Sequence, residues 1–218
     1  MDVNNDIYID KKYQNHRYYY HFLKRLFDFI IAVVGLVILS PIFLLIAISI
    51  KIEDPKGPIF YSQERIGQNQ KEFKIYKFRS MVQDADKKLA ELLKYNEVNG
   101  NMFKMKNDPR VTKVGAFLRK HSLDELPQLW NVVLGNMSLV GPRPPLPREV
   151  ADYTDYDLQR LIVKPGCTGL WQVSGRNDVD FNEMVELDLE YIQKSSLVFD
   201  IVILFKTVLV VLMPNGAY

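Results

Sequence analysis

The chain has 218 residues, of which 25% are charged and 48% hydrophobic, and a formal net charge of +2. That length suits one folded domain plus an anchor, and so even a charge balance leaves no electrostatic footprint for nucleic acid. A single cysteine, Cys167, excludes an internal disulfide and fits a reducing compartment; it reads as a small buried residue.

Residues 1–22 are polar and rich in Tyr and Asn, and read as a tail. Tyr18, Tyr19, Tyr20 and Phe22 precede Lys24 and Arg25, a mixture of aromatic and basic residues suited to a membrane interface. Asp28 is expected to lie at that interface or to pair with a nearby Arg or Lys, Arg25 being the closest candidate. The stretch 29–50 follows, 22 residues without a charge. As one straight helix it would run about 33 Å, enough to cross a bilayer. Ser40-Pro41 interrupts it, and proline removes a backbone donor and clashes with the preceding turn. Lys24 and Arg25 lie before the run, and Lys51 and Lys56 after it, so both flanks look cytoplasmic. The residues leave two readings open: a kinked spanning helix, or a re-entrant hairpin whose freed carbonyls the Ser40 hydroxyl satisfies. The run starts too late, and lacks the small-residue cleavage site, for a secretory signal.

Residues 54–58 (DPKGP) form a turn. The stretches 59–63 and 72–78 alternate like strands around a turn at 67–70 and predict a β-hairpin. Residues 84–96 and the amphipathic 111–121 predict helices, with a polar loop at 104–110 between them. A further helix is expected from Ser122 to Gly135, opened by a capping box of Ser122 and Glu125 and closed by the glycine. Residues 141–145 (GPRPP) read as a rigid loop, 170–173 as a short strand, and 181–194 as a helix with Met184, Leu187 and Tyr191 on one face. The apolar run 197–213, broken by Asp200 and Lys206, suits a helix lying in the interface or packed on the anchor.

The chemistry centres on Asp124-Glu125. Adjacent carboxylates on a helix point about 100° apart, so they do not bracket one glycosidic bond. They can divide labour: one attacks phosphorus while the other holds a hard cation. Lys77, Arg79, Arg119, Lys120, Arg143 and Arg176 stand beside turns or element ends, where they are placed to bind phosphate. Walker, GxGxxG and HExxH motifs are absent, and His16, His21 and His121 are scattered.

Several stretches occur together in a familiar order: KRLFD at 24–28, Ser40-Pro41, QERIG at 63–67, YKFRSM at 76–81, SLDELPQ at 122–128, GPRP at 141–144 and GLWQVSGR at 169–176. From about residue 22 onward the chain resembles the bacterial sugar transferases, the monotopic polyprenyl-phosphate phosphoglycosyl transferases, in their small form. The resemblance implies an α+β, mostly helical fold. A re-entrant membrane hairpin, residues 23–53, breaks at Ser40-Pro41. A cytoplasmic-face catalytic domain, residues 54–218, carries the β-hairpin and amphipathic interfacial helices. It implies transfer of sugar-1-phosphate from a UDP-sugar to undecaprenyl phosphate at the inner membrane, releasing UMP and initiating exopolysaccharide, capsule or O-antigen assembly. Asp124 would be the nucleophile and Glu125 the partner of a Mg²⁺ ion, with Lys77, Arg79, Arg119, Arg143 and Arg176 binding substrate. Implied partners are the bilayer, a second copy of the chain and downstream glycosyltransferases, with no nucleic acid. The competing readings are a non-catalytic scaffold for glycan assembly and a membrane-linked hydrolase that needs no lipid acceptor.

Overall fold

Three helices open the computed structural model, which describes residues 8–92, 105, 108–174 and 179–212. They are α1 (Lys11–Asn15), α2 (Tyr18–Ile38) and α3 (Ser40–Glu53). The second and third are bent by 59° at Leu39. Pro41 has no N–H for the Val37 carbonyl, and the Ser40 hydroxyl donates to it at 2.8 Å. The hydroxyl thus takes the role expected of it at the break. Ile38, Leu44 and Leu45 around the bend expose 62–69% of their surface. No single helix among the described residues is long and apolar enough to cross a membrane, but this bent pair meets that test by length and composition.

Residues 8–22 are more ordered than a tail. Asp10 caps α1 through the backbone N–H groups of Lys12 and Tyr13, buried Gln14 donates to the Ile192 carbonyl, and α2 starts at Tyr18. Asp28 has its nearby cation in Lys24, not in Arg25. It is buried and accepts from the Ser138 hydroxyl at 2.7 Å and the Leu139 N–H at 3.3 Å, with Lys24 at 4.0 Å. Arg25 instead donates to the Val132 and Val133 carbonyls in the last turn of a helix.

The hairpin forms as expected, from β1 (Phe60–Ile66) and β2 (Glu72–Phe78), antiparallel with Gln63 opposite Ile75. After it come α4 (Ala85–Leu92), α5 (Lys113–Lys120), α6 (Gln128–Leu134), β3 (Ser138–Val140), α7 (Pro147–Val150), α8 (Asp155–Leu158), β4 (Gly166–Thr168), α9 (Leu170–Ser174), α10 (Phe181–Lys194) and α11 (Leu197–Leu212). The expected continuation of α4 to Asn96 lies outside the described residues. The stretch 170–173 is helical, not a strand. Four residues are too few for their period to separate helix from strand, and the strand role beside β3 is taken by the three residues before Gly169. The parallel pairing of β3 with β4 is invisible to local pattern.

The core lies where α10 buries Val185, Leu189 and Ile192 against Val132, Met137, Leu139 and Ile203. On α11 the inward Asp200 meets Lys24 at 2.8 Å and accepts from the Tyr191 hydroxyl at 2.7 Å, tying this helix to α2. Val198, Phe205 and Val208 of the same helix are exposed.

Candidate active site

The expected helix from Ser122 does not start there. Ser122 takes the left-handed conformation (φ 54°), and its hydroxyl caps nothing. A 3-10 turn, Leu123–Glu125, follows, and α6 starts only after Pro127. The physical reason is Pro127, which offers no N–H to the Leu123 carbonyl and so breaks a continuous α-helical ladder. Leu126 N–H takes that carbonyl instead, at 3.3 Å. The closing expectation holds: Gly135 adopts φ 84°, and its N–H donates to the Val132 carbonyl.

This tight turn fixes the two carboxylates differently. Asp124 is 7% exposed, whereas the Glu125 side chain is 39% exposed and accepts from Lys77 Nζ at 2.6 Å. Lys77 comes from β2, which Asn131 of α6 holds in register: its amide accepts from Tyr76 N–H at 3.0 Å and donates to the Lys74 carbonyl at 2.7 Å. Asn131→Leu strands both backbone groups and is expected to cost about 2–4 kcal/mol of stability and to loosen the Lys77–Glu125 pair. Chemical denaturation in detergent measures the first effect.

Burial raises the Asp124 carboxyl above its usual range, and the neighbouring Glu125 charge adds to this against the opposing pull of Lys77 and Arg119. Burial also pushes Glu125 upward, but the Lys77 ammonium, with Arg143 and Arg65 behind it, outweighs burial and holds that carboxyl low. Environment therefore separates two adjacent acids, a pattern found where carboxylates divide roles. Lys77→Met removes the cation that lowers both groups. A reaction needing ionised Asp124 then loses rate at higher pH than before, so the acid limb of kcat/KM should move upward. A limb that stays in place contradicts this coupling.

The structure gathers Lys77, Glu125 and Asp124 directly and brings the charges of Arg119 and Arg143 to bear on them. Arg119 is in the last turn of α5, which packs so closely that a Cβ on Gly115 would sit 1.9 Å from the Ser80 carbonyl oxygen. Arg143 lies 3.5 Å from Glu149. Arg79 is engaged elsewhere: buried, it donates to the Asp54 carboxylate at 2.7 Å and packs on Gly57 where the chain leaves α3. Ser40 and Pro41 belong to the helix break, and Arg176 lies outside the described residues.

Arg65 was not among the expected site residues. It is buried on β1, donates to the Pro144 carbonyl at 2.9 Å and to Gln63 at 2.8 Å, and acts electrostatically on Glu125. Burial and the nearby Arg143 pull its guanidinium down to about 10. Its signal in the sequence was an arginine in phase with the half-buried positions 61 and 63 of an alternating strand.

Among the described residues no group of three His, Cys, Asp or Glu side chains could cage a metal ion. The half-exposed Glu125 beside Asp124 nevertheless supplies the hard oxygen donors that Mg²⁺ takes, and such sites commonly draw their remaining ligands from substrate phosphates and water. The residues fit a substrate-completed Mg²⁺ site.

The model of the bacterial sugar transferase family matches residues 19–214. The chain is 47% identical to the exopolysaccharide production protein ExoY of Rhizobium meliloti, covering 89% of this chain and 88% of that protein. It is 50% identical to an undecaprenyl-phosphate galactose phosphotransferase of Salmonella typhimurium, covering 90% of this chain and 42% of that protein. Against the UDP-glucose:undecaprenyl-phosphate glucose-1-phosphate transferase of Escherichia coli the identity is 42%, over 90% of this chain and 41% of that protein. The chain thus spans less than half the length of these last two relatives.

Proposed function

Since the chain belongs to the bacterial sugar transferase family, we propose that it transfers a sugar-1-phosphate from a UDP-sugar to undecaprenyl phosphate and releases UMP, opening the assembly of an exopolysaccharide. The names of the relatives support this reaction. The observation that carries the chemistry is the unequal pair, with Asp124 buried and Glu125 tied to Lys77.

In this reading an Asp124 carboxylate oxygen attacks the β-phosphorus of the donor. The phosphoanhydride bond breaks, UMP leaves with the bridging oxygen and its electron pair, and the sugar phosphate remains on Asp124 as an acyl phosphate. An oxygen of the lipid phosphate then attacks the same phosphorus, frees the carboxylate and forms the lipid diphosphate sugar. Lys77, Arg119, Arg143 and Arg65 hold the phosphate oxygens or the groups that do. A Mg²⁺ ion held by Glu125 and the donor phosphates would neutralise charge that otherwise repels the nucleophile. Incubation with the correct UDP-sugar and no acceptor should leave one sugar phosphate on the peptide containing Asp124, read by mass spectrometry. Turnover with the label on another residue contradicts the assignment.

The soluble donor and the lipid acceptor meet only at a membrane surface, which the α2–α3 bend suits. We read it as a re-entrant hairpin that keeps both flanks on the cytoplasmic face. Cysteines at Phe22 and Ile52 should label from the same side of sealed vesicles. Burial pushes the native Cys167 thiol far up, which keeps it in the unreactive form. Opposite-side labelling rejects the hairpin.

A further inference from the structure

We propose that a groove between α3 and α5 holds the isoprenoid tail of the lipid-phosphate acceptor and delivers its phosphate to Asp124. This rests on the reaction proposed above and adds where the second substrate lies.

The two helices are pinned at one end, where the Glu53 carboxylate at the foot of α3 accepts from the backbone N–H groups of Lys113 and Val114 at 2.8 and 3.1 Å. Between them opens a groove of about 500 Å³. Buried Ile46 and Leu118 line it together with Leu45 and Phe117, which are 64% and 58% exposed. Two of its lining residues are polar, Ser49, whose hydroxyl donates to the Leu45 carbonyl at 2.9 Å, and Lys113. Leu123, also in the lining, is the residue immediately before Asp124.

A nucleotide sugar has no use for such a surface. The acceptor has two needs, an anion site at the nucleophile and an apolar path for its chain, and the geometry sets them side by side. Arg119, in the last turn of the helix that walls the groove, acts electrostatically on Asp124 and supplies charge complementary to the phosphate. Ile42 and Leu45 carry the lining along α3 toward the bend, so the tail passes from the groove onto exposed apolar surface. A second hollow of about 350 Å³ lies on α3, lined by Leu44, Ala47, Ile48 and Ile59. Its lining includes no residue of the Asp124 turn, which makes it an internal control.

The test uses the full chain in nanodiscs and the donor identified by UMP release. Ser49→Trp fills the groove from α3 and Phe117→Ala removes a wall, both at exposed positions. The acceptor-free exchange of labelled UMP into UDP-sugar reports the first half-reaction, and the KM for undecaprenyl phosphate reports the second. The groove assignment expects acceptor KM to rise about tenfold in each variant, the size of losing one well-buried apolar contact, and by far more than any change in exchange. Ile48→Trp should leave acceptor KM near the wild-type value. An unaltered acceptor KM in Ser49→Trp and Phe117→Ala, with exchange intact, overturns the groove. An equal rise in Ile48→Trp overturns its specificity. Absence of exchange in the wild-type chain overturns the two-step reaction instead. Should Ser49→Trp fail to fold, Phe117→Ala decides.

Discussion

Asp124→Asn is expected to lower transfer by about 10⁴-fold or more, the order of loss seen when a covalent nucleophile is removed. An amide has nearly the shape of the carboxyl but does not attack phosphorus. The side chain is buried, and burial already favours its neutral form, so the neutral amide should fold at least as well as the acid. Membrane association and the unfolding midpoint should therefore stay near wild type while single-turnover UMP release disappears. Glu125→Gln provides the contrast. It keeps the nucleophile but removes the charge that engages Lys77, so transfer of the sugar phosphate to Asp124 should slow without vanishing and its demand for Mg²⁺ should weaken. Retained single-turnover release in Asp124→Asn would remove that residue as the nucleophile.

The second large effect is structural. Arg160 and Asp188 form an ion pair beneath α10, and their side chains are 1% and 0% exposed. Arg160 also donates to the Tyr153 hydroxyl at 3.0 Å. Asp188→Leu leaves a guanidinium buried without its counter-charge, and such a break costs about 3–5 kcal/mol. Replacing both residues, Arg160→Met with Asp188→Leu, removes the stranded charge and should recover most of the loss, because a buried pair contributes little over a packed apolar isostere. Denaturation of the three proteins in one detergent decides this. A double variant as unstable as Asp188→Leu would mean that the pair itself supplies the stability.

Local chemistry made much of the chain legible. The hairpin alternates, α10 keeps the helical period over residues 181–194, and Gly135 marks the end of α6. The helix break was written in Ser40-Pro41, because a missing N–H and a nearby hydroxyl act within one turn. What escaped depends on distant partners. Ser122 and Glu125 have the spacing of a capping box, but Pro127 and the left-handed Ser122 make a tighter turn that presents one carboxylate inward and the other to Lys77. Asp28 chose Ser138, 110 residues away, over its neighbour Arg25. Arg79, expected at phosphate because it stands at a strand end, has Asp54 as its partner in the fold. Arg65 lies beyond the strand expected at 59–63 and is not among the expected site residues, yet its charge reaches Glu125. An arginine's role follows from which carboxylates the fold brings to it, and sequence does not carry that.

The measurement that bears most directly on the proposed reaction is UMP release from a panel of UDP-sugars, with Mg²⁺, in the presence and absence of undecaprenyl phosphate. UDP-galactose and UDP-glucose come first, because transfer of these sugars is named among the relatives. Sustained UMP release from one donor, dependent on the lipid phosphate, is the predicted result. Silence across the panel from folded protein in lipid, or steady release that ignores the acceptor, would contradict it.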